Sequence, residues 1–173
     1  IGVDTIDLEA ATQAGIIVTN NPTYCIEEVA EHTMALMLAA ARKVALYDRL
    51  VRAGRWEVPP GKPIFRIAGS TLGLIGFGNI ARRVASCAAA LGMRVLYSDP
   101  FVKEGQFDAP GKKMEFLPML AESVFVSVHP PLTKETRKMV NDEAFGRMKP
   151  NAVIINCSRG PVIDTEALVR ALD

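Results

Sequence analysis

The sequence predicts an α/β fold built as a doubly wound parallel sheet, and two observations carry that prediction. From Ser70 onward, four short apolar runs, "STLGLIG", "MRVLYSD", "VFVSVH" and "AVIINCS", alternate with stretches of helical periodicity. None of the four shows the apolar and polar alternation of a sheet with one wet face, so helices must cover both faces.

Composition agrees with a packed domain and narrows its partners. The 173 residues are 49% hydrophobic and 23% charged, enough for one core and too apolar for a disordered chain. Twenty Lys and Arg against nineteen Asp and Glu give a formal charge of +1. No global field is available to recruit nucleic acid or an acidic membrane surface, and small, locally recognised ligands are expected. Cys25, Cys87 and Cys157 are odd in number, far apart and read as lying inside predicted elements, which fits reduced thiols in a cytoplasmic protein; their spacing suggests no metal site. The longest apolar stretch, "MALMLAAA" from 34 to 41, is too short to span a bilayer.

Taken in order, the chain opens on "IGVDTIDLEAATQAGIIVTN", in mid-pattern and without Met, which predicts that a further segment precedes it. A long helix is expected from Ile26 to Ala41: Ile26, Val29, Ala30, Thr33, Met37, Ala40 and Ala41 recur at helical spacing, Glu27 and Glu28 favour its start, and Arg42 and Lys43 its end. Met34, Leu36 and Leu38 make its other flank apolar too, which asks for cover on both sides. A more polar helix is expected over 43–53, then a Pro- and Gly-rich connector, "GRWEVPPGKP", in which Trp56 is either locally packed or an anchor for a second subunit. Beyond it the strands alternate with helices at 79–91, near 116–122, as turns across 134–148, and at 164–172, and "KEGQFDAPGKK" is the most loop-like tract. The expected division is 1–68 as linker, long helix and arm, and 69–173 as an α/β unit.

The strongest chemical signal lies in "GLIGFGNIARRVASCAAALGMRVLYSDP". Gly76, Gly78 and Ala81 occupy the three small positions of a dinucleotide fingerprint, after a predicted strand and at a predicted helix start. Gly76 permits the turn, Gly78 admits a pyrophosphate to the backbone, and Ala81 keeps helix and sheet close. The amides at the helix start then face the phosphate charge, and Phe77, between the two glycines, is read as cofactor-binding with them. The second strand ends at Asp99, eighteen positions after Ala81, where a carboxylate can accept from both ribose hydroxyls and would repel a 2′-phosphate. The unit is therefore a Rossmann-type dinucleotide-binding domain that favours NAD over NADP.

Ligands of open α/β sheets sit beyond the carboxyl ends of the strands, and two further strand ends carry polar groups. In "VHPPLT", His129 leaves an apolar run and two prolines stop the strand; in "NCSRG", Cys157, Ser158 and Arg159 do the same. Arg159 offers a planar fork of donors that suits a carboxylate, and it is charged at any working pH; on the residues alone, a surface arginine that closes a salt bridge is the alternative and the more ordinary reading.

At this point the segments "GVDTIDLEAATQAGIIVTN", "PTYCIEEVAEHTMALMLAAAR", "GSTLGLIGFGNIARRVA", "LGMRVLYSDP" and "VSVHPPLTKETRKMVNDEAFGRMKPNAVIINCSRGPVIDTEALVRAL" resemble the NAD-dependent D-2-hydroxyacid dehydrogenases, the D-isomer-specific family that includes D-3-phosphoglycerate dehydrogenase. "TYCIEEVAEH" is most similar to a bacterial branch near the C-terminal-binding-protein corepressors. The resemblance implies that Arg159 is the catalytic arginine, holding a substrate's carboxylate and carbonyl beside the nicotinamide. It implies that Asn79 and Ile80 hold the pyrophosphate, that Asp99 holds the ribose, and that His129, Pro130, Cys157 and Ser158 lie along the nicotinamide side. It also implies a homodimer across helix 26–41 and the arm through Trp56, and a small 2-hydroxy or 2-oxo acid as substrate.

In this family a histidine passes the proton and a paired glutamate supports it, both downstream of the arginine. The sequence reaches Asp173 before either. His32 is expected to serve packing or a dimer contact, and His129 does not match the acid/base position. The expectation is an NAD-binding part of a dehydrogenase, incomplete at both ends and inactive alone; the alternative is an NAD(H)-sensing, corepressor-like interaction module. Val124 stands where relatives often carry an acid, and Pro161 where a second glycine is common.

Overall fold

The computed structural model describes residues 2–173. The four apolar runs become the parallel strands β1 (Thr71–Ile75), β2 (Arg94–Ser98), β4 (Phe125–Val128) and β5 (Val153–Asn156), joined at one edge by the two-residue β3 (Lys112–Lys113). Their order across the sheet is β3-β2-β1-β4-β5, every neighbouring pair parallel. The chain thus winds outward from β1 to β3, crosses back, and continues from β4 in the opposite direction. This is the doubly wound sheet the sequence predicts, with its switch point between β1 and β4.

Side chains alternate across each strand, so the sheet divides its apolar residues between two cores. On one face Leu72, Leu74, Phe125 and Ile155 pack with α2 (Ile26–Ala41) and α4 (Asn79–Ala90), through Met34, Met37, Val84 and Ala85. On the other, Ile75, Leu96, Val126 and Val128 meet Met119 and Leu120 of α5 (Phe116–Glu122), Ala144 of α6 (Asp142–Arg147) and Leu168 of α7 (Thr165–Leu172). Each of the large side chains buried here contributes about 1.5–3 kcal/mol, which holds a sheet with no wet face. Short polar side chains start the minor helices: Asn141 accepts from the Ala144 amide and Asp164 from the Glu166 amide.

Several local expectations change. The opening segment carries an unpredicted helix, α1 (Leu8–Gln13), begun by Asp7, whose carboxylate accepts from the Ala10 amide. The helical pattern of 134–148 resolves into a turn and then α6, because Asn141 provides the cap that starts the helix late. The loop-like tract 103–113 ends in β3, where Lys112 and Lys113 pair with Leu96 and Tyr97. Trp56, in the connector after α3 (Val44–Arg52), is 91% exposed, so local packing does not explain it. α2 buries Ala30, Thr33, Met34, Met37 and Ala41 within the chain and leaves Leu36 exposed, so intramolecular contacts cover more of it than its all-round apolarity suggested. Of the cysteines, Cys87 lies within α4, Cys25 caps α2 and Cys157 follows β5. Among the described residues no helix is long and apolar enough to cross a membrane.

Candidate functional site

The sheet order sets the polar strand ends in one row. Asp99 follows β2, Gly76 to Gly78 follow β1, His129 and Pro130 follow β4, and Cys157 to Arg159 follow β5, on four adjacent strands. Three steps of about 4.8 Å give a track of roughly 14 Å, room for one extended dinucleotide.

At the centre of the track, Gly76 has φ +80°, a conformation that side chains rarely adopt, and a Cβ there would lie 3.1 Å from the Pro130 nitrogen. The two strand ends at the switch point therefore touch through this glycine. Gly78 differs: its backbone is extended at φ −73°, and a Cβ there would meet nothing within 4 Å. Gly78 caps α4 without any side-chain bond, so the first amides of the helix are left to an outside acceptor. Ala81 is fully buried between α4 and the sheet. The Phe77 ring is buried and stacks on Tyr97 at 3.8 Å, and the Phe77 amide donates to Asp99 Oδ2 at 2.8 Å. Asp99 Oδ1 accepts from the Phe101 amide at 2.8 Å, so two backbone donors fix the carboxylate while each oxygen keeps a free lone pair. Asn79 is tied to α4 by Arg82, whose guanidinium lies over the Phe107 ring at 3.7 Å.

At the β5 end a cleft of about 840 Å³ opens between the sheet and the N-terminal segment. Ile80, His129, Pro130, Cys157, Ser158 and Arg159 line one side, and Gly2 to Asp4, Asp7 and the Pro22 to Ile26 region the other. Gly76, Phe77, Gly78, Asn79 and Asp99 lie outside this cleft; Asn79 borders a separate depression of about 550 Å³ with Arg82 and Arg83. Arg159 donates its Nε–H to Asp4, with both carboxylate oxygens at 3.0–3.1 Å, and donates from Nη1 to the Ser158 carbonyl at 3.1 Å. The hydrogen bond to Asp4 pushes the Arg159 pKa further up, and the same bond holds the Asp4 carboxyl below its usual range.

Asn156 secures the turn that carries this arginine. Its Oδ1 accepts from the Ser158 amide at 3.0 Å and the Ser158 hydroxyl at 2.8 Å, and its Nδ2 donates to the Arg159 carbonyl at 2.9 Å. Asn156→Ala should cost about 2 kcal/mol, since partly buried partners lose their bonds together. Urea unfolding midpoints measure it.

His129 is a further polar group of the cleft. Its Nε2 is buried without a partner, and burial pushes its pKa down to about 4, so the ring is neutral near pH 7. The unfolded chain binds this proton near pH 6.5 and the folded chain only near pH 4, so stability is full above about 6.5 and falls with pH between the two. The full loss is about 3 kcal/mol, of which about 2 kcal/mol arises between pH 7.5 and 5. Denaturant unfolding at those two pH values should show the drop, and His129→Asn should remove it.

Sequence reasoning did not find Asp4 or Asn156. Asp4 sits 155 positions from its partner, and no local pattern marks such a pair. Asn156 ends an apolar strand and directly precedes the polar turn, which is the one signal that could have singled it out.

Comparison with known proteins agrees with this geometry. The family described as D-isomer specific 2-hydroxyacid dehydrogenase, NAD binding domain, matches residues 34–173. A glyoxylate reductase of Thermococcus litoralis is 40% identical over 99% of this chain and 54% of its own length. A D-3-phosphoglycerate dehydrogenase of Synechocystis is 41% identical over all of this chain and 31% of its own. A solved D-lactate dehydrogenase of Aquifex aeolicus, complexed with NAD and lactic acid, superposes with a TM-score of 0.90 at 37% identity, over 99% of this chain and 51% of that one. The chain thus spans between 31% and 54% of the length of these relatives. With the winding, the uncapped α4, the acid at the β2 end and the arginine at the β5 end in place, the chain belongs to the D-isomer-specific 2-hydroxyacid dehydrogenases, a family of oxidoreductases, and carries their NAD-binding domain.

Proposed function

We propose that this chain is the cofactor-holding part of an enzyme that moves hydride between NAD(H) and a small D-2-hydroxy acid or 2-oxo acid. The observation that carries the proposal is Arg159: it lines a cleft at one end of the track whose other end is Asp99. Bound NAD supplies or takes the hydride at its nicotinamide ring. The chain's own residues bind and orient. The backbone from Gly76 through Phe77, Gly78, Asn79 and Ile80 receives the pyrophosphate, Asp99 accepts from the ribose hydroxyls, and His129, Pro130, Cys157 and Ser158 border the nicotinamide end. Arg159 is the catalytic residue, its fork set for the carboxylate and carbonyl of the substrate. The open space before Gly78 and the uncapped α4 fit a pyrophosphate, and the firmly held Asp99 fits a ribose.

Neither histidine is suited to move the substrate proton. His32 is exposed in mid-helix, and His129 is buried with a pKa of about 4. Residues 2–173 are therefore expected to bind without turnover. The exposed Trp56, Val58 and Leu36 support a homodimer through the 1–68 arm and helix.

The test is a fluorescence titration with NADH and NADPH, with sedimentation run in parallel. NADH should bind at least tenfold tighter than NADPH, because Asp99 repels a 2′-phosphate. Equal affinities, or no NADH binding, would overturn the reading.

A further inference from the structure

We infer that Asp4 is a positioning residue for Arg159, fixing the guanidinium so that its terminal edge faces the ligand. The inference rests on the proposed function above and adds to it a residue from the opposite end of the chain. A guanidinium has five N–H donors. One, on Nε, goes to Asp4 and one, on Nη1, to the Ser158 carbonyl, which leaves three, all on the two terminal nitrogens. Among the described residues Asp4 is the sole side chain bonded to this guanidinium.

The side on which Asp4 binds decides between two roles. A carboxylate that stood in for substrate would span Nη1 and Nη2; both oxygens of Asp4 instead lie on Nε, behind the edge a ligand needs. The backbone ahead of it completes the seat: a Cβ on Gly2 would come within 2.5 Å of both Nη2 and Asp4 Oδ1, so only a residue without a side chain leaves room for the pair. Among the described residues Arg159 is the one cation lining the cleft, beside the carboxylates of Asp4 and Asp7 and a neutral His129. A tilt of its plane would leave a ligand carboxylate with no other cation there.

Oxamate, a non-reacting 2-oxo acid analogue, is titrated at saturating NADH into the unaltered chain, Asp4→Ala and Asp4→Asn. Asp4→Ala should bind oxamate at least tenfold more weakly while holding NADH within about twofold. Asp4→Asn should recover most of the loss, because its amide oxygen still accepts the Nε–H. Oxamate binding that is unchanged in Asp4→Ala, or undetectable in the unaltered chain, overturns the inference, and tighter binding would make Asp4 a competitor instead. Loss of NADH binding together with oxamate in Asp4→Ala would mark a merely structural residue and also overturn it. If the unaltered chain fails to bind NADH, the cofactor reading itself falls, an outcome distinct from all of these.

Discussion

Replacing Gly78 with valine should abolish NADH binding, by at least a hundredfold, and leave the domain folded. The backbone at Gly78 is extended, which any residue adopts, and no atom of the chain lies within 4 Å of where a Cβ would stand. The only expected cost to the fold is a poorer helix start, about 1 kcal/mol. What valine fills is the approach to the first amides of α4, where a pyrophosphate must come within hydrogen-bonding distance. Gly76→Val is the contrasting control: with φ +80° and the Pro130 nitrogen 3.1 Å away, it should damage the fold itself. Titration of NADH beside a thermal melt separates the two. A Gly78→Val protein that binds NADH as the parent does would remove the fingerprint from the site.

Arg159→Lys should lose about a hundredfold in kcat/KM in a polypeptide that carries this sequence and turns over. Arg159 uses Nε on Asp4 and Nη1 on the Ser158 carbonyl while keeping a terminal fork for ligand. Lysine concentrates its three donors on one nitrogen and cannot serve all three directions at once. Losing two charge-assisted bonds of about 1.5 kcal/mol each corresponds to roughly that factor. Activity near the parent's would take Arg159 out of the chemistry.

Much of this architecture was legible because it is written in local periodicity. β1, β2, β4 and β5 are unbroken apolar runs, and α2 spans Ile26–Ala41 as its spacing and acidic first turn indicate. Gly76, Asp99 and Arg159 were legible because each stands where a strand ends, and strand ends are where such sheets present polar groups. What escaped depends on contacts between distant segments. β3 exists because Lys112 and Lys113 reach Leu96 and Tyr97, although their own tract reads as loop. α1 is six residues long, too short for a periodicity to declare itself. Phe77 reads in the sequence only as a cofactor-binding residue between two glycines, and its ring proves to belong to the core, stacked on Tyr97.

The separation of 155 residues between Asp4 and Arg159 also sets an order of events in folding. The β1, α4 and β2 unit closes within residues 71–98, so the turn at Gly76 and the free amides of α4 arise from contacts near in sequence. Pairing Asp4 with Arg159 closes a loop of almost the whole polypeptide, and it gains nothing until β4 and β5 have added to the sheet. A refolding chain should therefore regain its seat for the pyrophosphate and adenosine half of NADH before it can hold a carboxylate. A proteolytic nick in the exposed 54–60 connector would leave both α2, which covers one face of the sheet, and Asp4, which holds Arg159, on a separate fragment that must stay bound.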